Sequence, residues 1–230
     1  MRKLLVVISI IVLFVQVKPV QADIAPPNRP PGTNPQPGSE TTSVRMVAET
    51  VTIDVQSRTS GKELGLARVS ADFTMRNLGN ADETMAVRFP VGASDGWGGI
   101  PVITDTVVSV GGKNVALRSI TGEDPNFGAD EVPWVEFDVT FPSQADVQIV
   151  VKYTLQAVGE MPYIWFNYIF STGAGWNGTI GSADLVVNFP YEINELNVVV
   201  CGTDDTYSCT SRGGRMEGKR ITWRFEDFEP

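Results

Sequence analysis

The residues of this chain that come nearest to a catalytic arrangement are two carboxylates one position apart, Glu136 and Asp138. In the run Trp134 to Thr140, a strand places Val135, Phe137 and Val139 on one face and both acids, with Trp134 and Thr140, on the other. A glycosidase needs two carboxyl groups about 5 to 9.5 Å apart across a sugar, and an i, i+2 strand pair offers about 6 to 7 Å. The plainer reading is a solvated strand face, since any polar face of an acidic protein holds such pairs. Histidine is absent and cysteine occurs only twice. A Ser-His-Asp triad, a Cys-His dyad and a histidine-ligated metal centre are therefore excluded.

Two indoles sit in glycine-rich loops. Trp97 lies in Ser94-Asp95-Gly96-Trp97-Gly98-Gly99, and Trp176, followed by Asn177, lies in Ser171-Thr172-Gly173-Ala174-Gly175-Trp176-Asn177-Gly178-Thr179-Ile180-Gly181. Exposed indoles are platforms for sugars or peptides, and Trp97, Trp176 and Asn177 are the candidate ligand-binding residues on that reading. The competing reading folds Trp176 back as a plug over the end of a β-sandwich, and this is the expected arrangement. A phosphate cradle is disfavoured, because no helix and no Lys-Ser/Thr pair follows the glycines.

Glu123, Asp124, Asp130 and Glu131 flank a Pro-Asn-Phe-Gly turn that could gather oxygen ligands for calcium, but the spacing fits no EF-hand loop. No metal site and no cofactor motif is assigned. Cys201 and Cys209 enclose Gly-Thr-Asp-Asp-Thr-Tyr-Ser, a spacing suited to a cross-linked hairpin in an oxidising compartment. A redox-active pair would have two intervening residues and a helix N-terminus, so a structural disulfide is expected.

The segments that position these groups begin with a leader. Arg2 and Lys3 precede an apolar run from Leu4 to Val17, and Val20-Gln21-Ala22 places small residues where signal peptidase cuts. Residues 1–22 are expected to be a cleaved signal peptide, with the product secreted or otherwise extracytoplasmic and no membrane contact after cleavage. Without these residues the chain holds 15 basic and 27 acidic side chains, a net charge of −12. Such a surface repels phosphate backbones and anionic headgroups, which argues against nucleic acid as a partner. Residues 23–41 carry Pro26, Pro27, Pro30, Pro31, Pro35 and Pro37 and are expected to form a disordered spacer.

From about Thr42 the hydrophobic period is two. It runs through Val51-Ile53-Val55, Val69-Ala71-Phe73-Met75, Met85-Val87-Phe89, Val135-Phe137-Val139-Phe141, Val147-Ile149-Val151-Tyr153-Leu155, Leu185-Val187-Phe189 and Ile221-Trp223-Phe225. Turn signals such as Gly111-Gly112, Pro142-Ser143 and Gly213-Gly214 separate the runs, and no dozen residues show a helical period. The expected fold is all-β, an antiparallel β-sandwich of immunoglobulin-like or larger size. Met161 to Phe170 is apolar on both faces, with Ile164, Phe166, Tyr168 and Phe170 on one of them. It belongs where two layers or subdomains meet. A soft boundary there gives an N-terminal sandwich over 42–157 and a C-terminal β subdomain over 158–230; the alternative is one sandwich without a boundary.

The aromatic strand and the loop after it resemble an exported bacterial family classed only as a domain of unknown function. Its TGAxWxGxIG motif, its Cys-Gly and its closing aromatic-x-x-Phe-x-Pro match Thr172, Gly173, Ala174, Trp176, Gly178, Ile180, Gly181, Cys201, Gly202, Phe225, Phe228 and Pro230. Arg76, Asn77, Phe89 and Pro90 match its upstream strand pair. Gly175 and Cys209 depart from the pattern. The resemblance implies a fold and a compartment but no activity or catalytic residues, and it implies a further strand after Pro230. Three function classes follow: a non-catalytic extracytoplasmic interaction module for an unknown protein or glycan, a carbohydrate-binding module using Trp97 and Trp176, and a carboxylate-dependent glycoside hydrolase.

Overall fold

A computed structural model describes residues 36–37, 42–58, 64–92, 103–123, 131–160, 163–166, 168, 175–194, 196–198 and 213–228. In chain order the strands are β1 (Gln36–Pro37), β2 (Val44–Val55), β3 (Leu66–Asn77), β4 (Glu83–Pro90), β5 (Thr104–Val110), β6 (Lys113–Asn114) and β7 (Arg118–Glu123). They continue as β8 (Glu131–Phe141), β9 (Asp146–Gln156), β10 (Val158–Glu160), β11 (Tyr163–Trp165), β12 (Ile180–Asn188), β13 (Arg215–Glu217) and β14 (Arg220–Phe228). The chain is all-β, as its period-two pattern requires, and the sheets pack as a sandwich. No helix among the described residues is long and apolar enough to cross a membrane.

The larger sheet has eight strands in the order β13-β14-β12-β2-β3-β9-β5-β6, and the smaller has four in the order β1-β4-β8-β7. β10 and β11 form a separate antiparallel pair. Alternation sends Val69, Ala71, Phe73 and Met75 of β3 inward with Ile149, Val151, Tyr153 and Leu155 of β9. The smaller sheet answers with Val87 and Phe89 of β4 and Val135, Phe137, Val139 and Phe141 of β8. Across the interface the Phe89 and Tyr153 rings meet with centroids 5.8 Å apart. Each fully buried phenylalanine stabilises by about 1.5 to 3 kcal/mol, and this shared apolar layer holds the two sheets together.

Three details differ from the sequence reading. Gln36 and Pro37, expected in a disordered spacer, pair with Arg88 and Val87 on the edge of β4. Proline lacks an N–H, so it is tolerated on an edge strand, where one side needs no ladder partner. Strands β12, β13 and β14, beyond Val158, do not build a sheet of their own. β12 lies parallel to β2, from Ser182 opposite Ala48 to Asn188 opposite Asp54, and antiparallel to β14, so they continue the larger sheet. Trp134, expected on a wet face, is buried outside the main core. A Cβ on Gly122 would stand 2.9 Å from its indole, so the ring lies over β7 where glycine leaves room.

Candidate functional site

The outer face of the smaller sheet is the simplest region to build. Glu136 of β8 lies opposite Arg88 of β4 and Arg118 of β7. Arg88 Nε donates to Glu136 Oε2 at 2.9 Å, and Arg118 donates through Nη2 to Glu136 Oε1 at 3.0 Å. Arg118 also forks onto Asp138, with Nη1 to Oδ2 at 2.7 Å and Nη2 to Oδ1 at 2.8 Å. Hydrogen bonds from Arg118, then from Arg88, hold the Glu136 carboxyl below its ordinary range, and the Arg118 hydrogen bonds do the same for Asp138. A general acid must carry its proton near neutral pH, whereas both groups are held ionised on one flat strand face. Their arrangement is that of a surface ion network.

The described part of the glycine-rich loop is a closure of the sandwich end. Trp176 is 5% exposed, and its indole meets the Phe141 ring edge-on with centroids 6.0 Å apart. It therefore offers no open face of the kind a sugar platform needs. The Asn177 N–H donates to the Val44 carbonyl at 2.9 Å, and its Nδ2 donates to the Thr42 carbonyl at 3.2 Å. Arg45 adds bonds to the Thr179 carbonyl at 2.8 Å and hydroxyl at 3.0 Å. Gly178 has φ +67° in open surroundings, so backbone conformation alone selects glycine there. Trp97, Cys201 and Cys209 lie outside the described residues. So do Asp124 and Asp130, while Glu123 and Glu131 face each other in the β7–β8 register.

A third group of residues lies inside the sandwich. β2 starts with Val44 and Met46 inward, and its register with β3 then shifts between Met46 and Ala48. The extra residue, Val47, is a β-bulge that reverses the alternation, so the inward set becomes Glu49, Val51 and Ile53. Glu49 is 1% exposed. Its carboxyl Oε1 accepts a hydrogen bond of 2.7 Å from Tyr168 Oη. Tyr168 sits between β11 and β12, outside both large sheets, with its ring partly buried against the core.

A further buried polar group is Tyr153 of β9. It is 4% exposed, and its hydroxyl has no hydrogen-bond partner among the described residues. An unsatisfied buried hydroxyl costs about 1 to 3 kcal/mol, and native interiors rarely keep one without a reason. Burial and then the Glu49 charge push the Tyr153 phenol far above its ordinary range. Burial, followed by the charges of Glu49 and Tyr153, does the same for Tyr168.

The sequence reading did not single out these three residues, although the signal was present. Glu49 is one step back along the Val51-Ile53-Val55 face, Tyr153 belongs to the apolar run of β9, and Tyr168 lies on the Ile164-Phe166 face of the aromatic segment. Each stood out as polar at a position the pattern buries.

No family model matches the chain, and no curated protein matches it. Among solved structures, a candidate nutrient-binding protein from Legionella pneumophila superposes with a TM-score of 0.67 at 25% identity, covering 87% of this chain and 68% of that one. An M1 zinc metallopeptidase from Deinococcus radiodurans aligns with a TM-score of 0.36 at 8% identity, covering 80% of this chain and 39% of the peptidase. At that similarity the peptidase carries no argument about this chain.

Proposed function

We propose that this chain is an extracytoplasmic, non-catalytic binding protein that takes a small-molecule ligand, and that it belongs with the exported family its TGAxWxGxIG segment resembles. The observation that carries the reading is the shared fold with the Legionella candidate nutrient-binding protein over 87% of the chain. The leader at residues 1–22 supports the compartment. Two features of the geometry agree: the paired acids Glu136 and Asp138 are neutralised by arginines, and the polar side chains of Glu49, Asn77 and Tyr153 are buried. Buried polar groups inside an apolar layer give a ligand orientation and specificity.

The test is a thermal-shift panel on the protein from residue 23 onward, with small amines, amino acids, monosaccharides and organic acids. A saturable rise in Tm with one chemical class is expected, because a ligand that binds only the folded state stabilises it by mass action. If no class raises Tm while a purified exported protein or a polysaccharide binds, the small-molecule reading is wrong and the chain is an interaction module.

A further inference from the structure

We propose that Asn177 is a self-modification site: the Gly178 backbone nitrogen displaces its side-chain amide, converting the residue to isoaspartate or aspartate and loosening the loop that closes the sandwich end. The reaction needs no ligand, so it is independent of the binding reading above. Asn177-Gly178 is the single Asn-Gly step in the chain. Both residues are exposed, and a Cβ built on Gly178 would meet nothing within 4 Å, so water and hydroxide reach the peptide nitrogen that joins them. The Gly178 N–H has no hydrogen-bond partner among the described residues, whereas the N–H of Asn177 is tied to the Val44 carbonyl at 2.9 Å.

Water and hydroxide are the only co-reactants. The Gly178 nitrogen gives its proton to hydroxide and bonds to Asn177 Cγ; the Cγ–Nδ2 bond breaks, and Nδ2 leaves as ammonia after taking a proton from water. A five-membered succinimide remains. Water then opens it at the side-chain carbonyl to give aspartate, or at the main-chain carbonyl to give isoaspartate, in which the backbone runs through the side-chain methylene. Nucleophile and electrophile sit on adjacent residues, so ring closure has the rate advantage of an intramolecular reaction, and glycine adds no side chain to shield the nitrogen. Other asparagines are worse placed. Asn77 is fully buried with its amide nitrogen donating to the Ala81 and Phe141 carbonyls, and Asn188 is followed by the bulky Phe189. The one restraint on the Asn177 amide is its bond to the Thr42 carbonyl, 3.2 Å and therefore at the long end of the range. Either product loses that donor. In isoaspartate the lengthened backbone also displaces the turn between Trp176, seated on Phe141, and Thr179, held by Arg45. The closure thus weakens with the age of the molecule.

The experiment incubates the folded protein from residue 23 onward at body temperature in neutral and mildly alkaline buffer, then maps its peptides by mass. Wild type should gain one mass unit at Asn177 sooner than at any other asparagine, and faster in the alkaline buffer, because the attacking nitrogen must lose its proton. In water labelled with heavy oxygen the product should take up one label, and isoaspartyl methyltransferase should methylate it. Gly178→Ala should slow the gain about tenfold, equivalent to ~1.4 kcal/mol of added barrier. Asn177→Gln, whose longer side chain would have to close a six-membered ring, should show no gain at that position. The modified fraction should melt below the unmodified one, with Asn177→Asp, which keeps the ordinary backbone, between them. No gain at Asn177, an earlier gain at another asparagine, or an unchanged rate in Gly178→Ala overturns the site. A modified fraction that melts with the unmodified protein overturns the loosening.

Discussion

Gly181 packs so closely on Val47 that a Cβ built on the glycine would collide with the Val47 carbonyl oxygen. The contact joins a bulge near the start of the first long strand to a strand from the last third of the chain. Gly181→Ala must separate β12 from β2 or flatten the bulge. Overpacking of this kind costs about 1 to 3 kcal/mol, so chemical denaturation should show that loss. Gly178→Ala, where φ is +67° and the surroundings are open, should cost less, about 1 kcal/mol. Equal effects of the two substitutions would mean that the Gly181 contact relaxes without consequence.

Removing the indole that seals the sandwich end should be among the costlier changes. Trp176→Ala is expected to lose about 3 to 5 kcal/mol, as for a core tryptophan, whereas Trp176→Phe should retain much of the packing on Phe141. Equilibrium unfolding measures both, and a wild-type midpoint for Trp176→Ala would refute the plug.

The buried phenols make the fold sensitive to base. Tyr153 and Tyr168 hold their protons far above the ordinary phenol range, so in the folded state they stay neutral where an unfolded chain would ionise. Their contribution is fully present below about pH 10 and is lost as pH rises beyond it, because only the unfolded state then releases these protons. Absorbance near 295 nm should therefore show a late ionisation that coincides with loss of strand signal by circular dichroism. Tyr168→Phe should reduce the amplitude of that late step; ionisation of all tyrosines before unfolding would contradict the burial described.

The arginine network predicts the opposite limb. Glu136 and Asp138 titrate below their ordinary values, so their contribution is present above the unfolded carboxylate range, near pH 4, and disappears as pH falls through the lower folded values. Arg118→Met should lower stability slightly at neutral pH, and its unfolding curve should converge on wild type in acid. NMR titration of the Asp138 carboxyl should show its midpoint rising in the variant. A difference that grows on acidification would rule out this assignment.

Much of the architecture was legible because period-two alternation states burial directly. Val69 to Met75 and Val135 to Phe141 fall on the face the pattern assigns, and the two runs lie in β3 and β8. Trp134 was misread because alternation distinguishes two faces but does not say whether the second is covered, and here Gly122 makes room for an indole on it. The bulge was illegible for another reason. Val44 and Met46 fit one parity and Val51 and Ile53 the other, and only the pairing with β3 shows that Val47 is the residue that absorbs the mismatch. Glu49, Tyr153 and Tyr168 were therefore visible one at a time as polar intrusions in apolar runs, while the Glu49–Tyr168 contact joins two segments far apart in sequence.

The parallel pairing of β12 with β2 sets an order of assembly. Asn188 donates to Asp54 across 134 residues of chain, so β2 leaves the ribosome long before the neighbour that covers one of its sides. Contacts of such high sequence separation form slowly. During synthesis that flank of β2 is a bare row of backbone donors and acceptors, open to pairing with another molecule. A chain cut before Ile180 would retain β3 on one side and nothing on the other. Such a fragment would be recovered as aggregate rather than as a smaller folded domain.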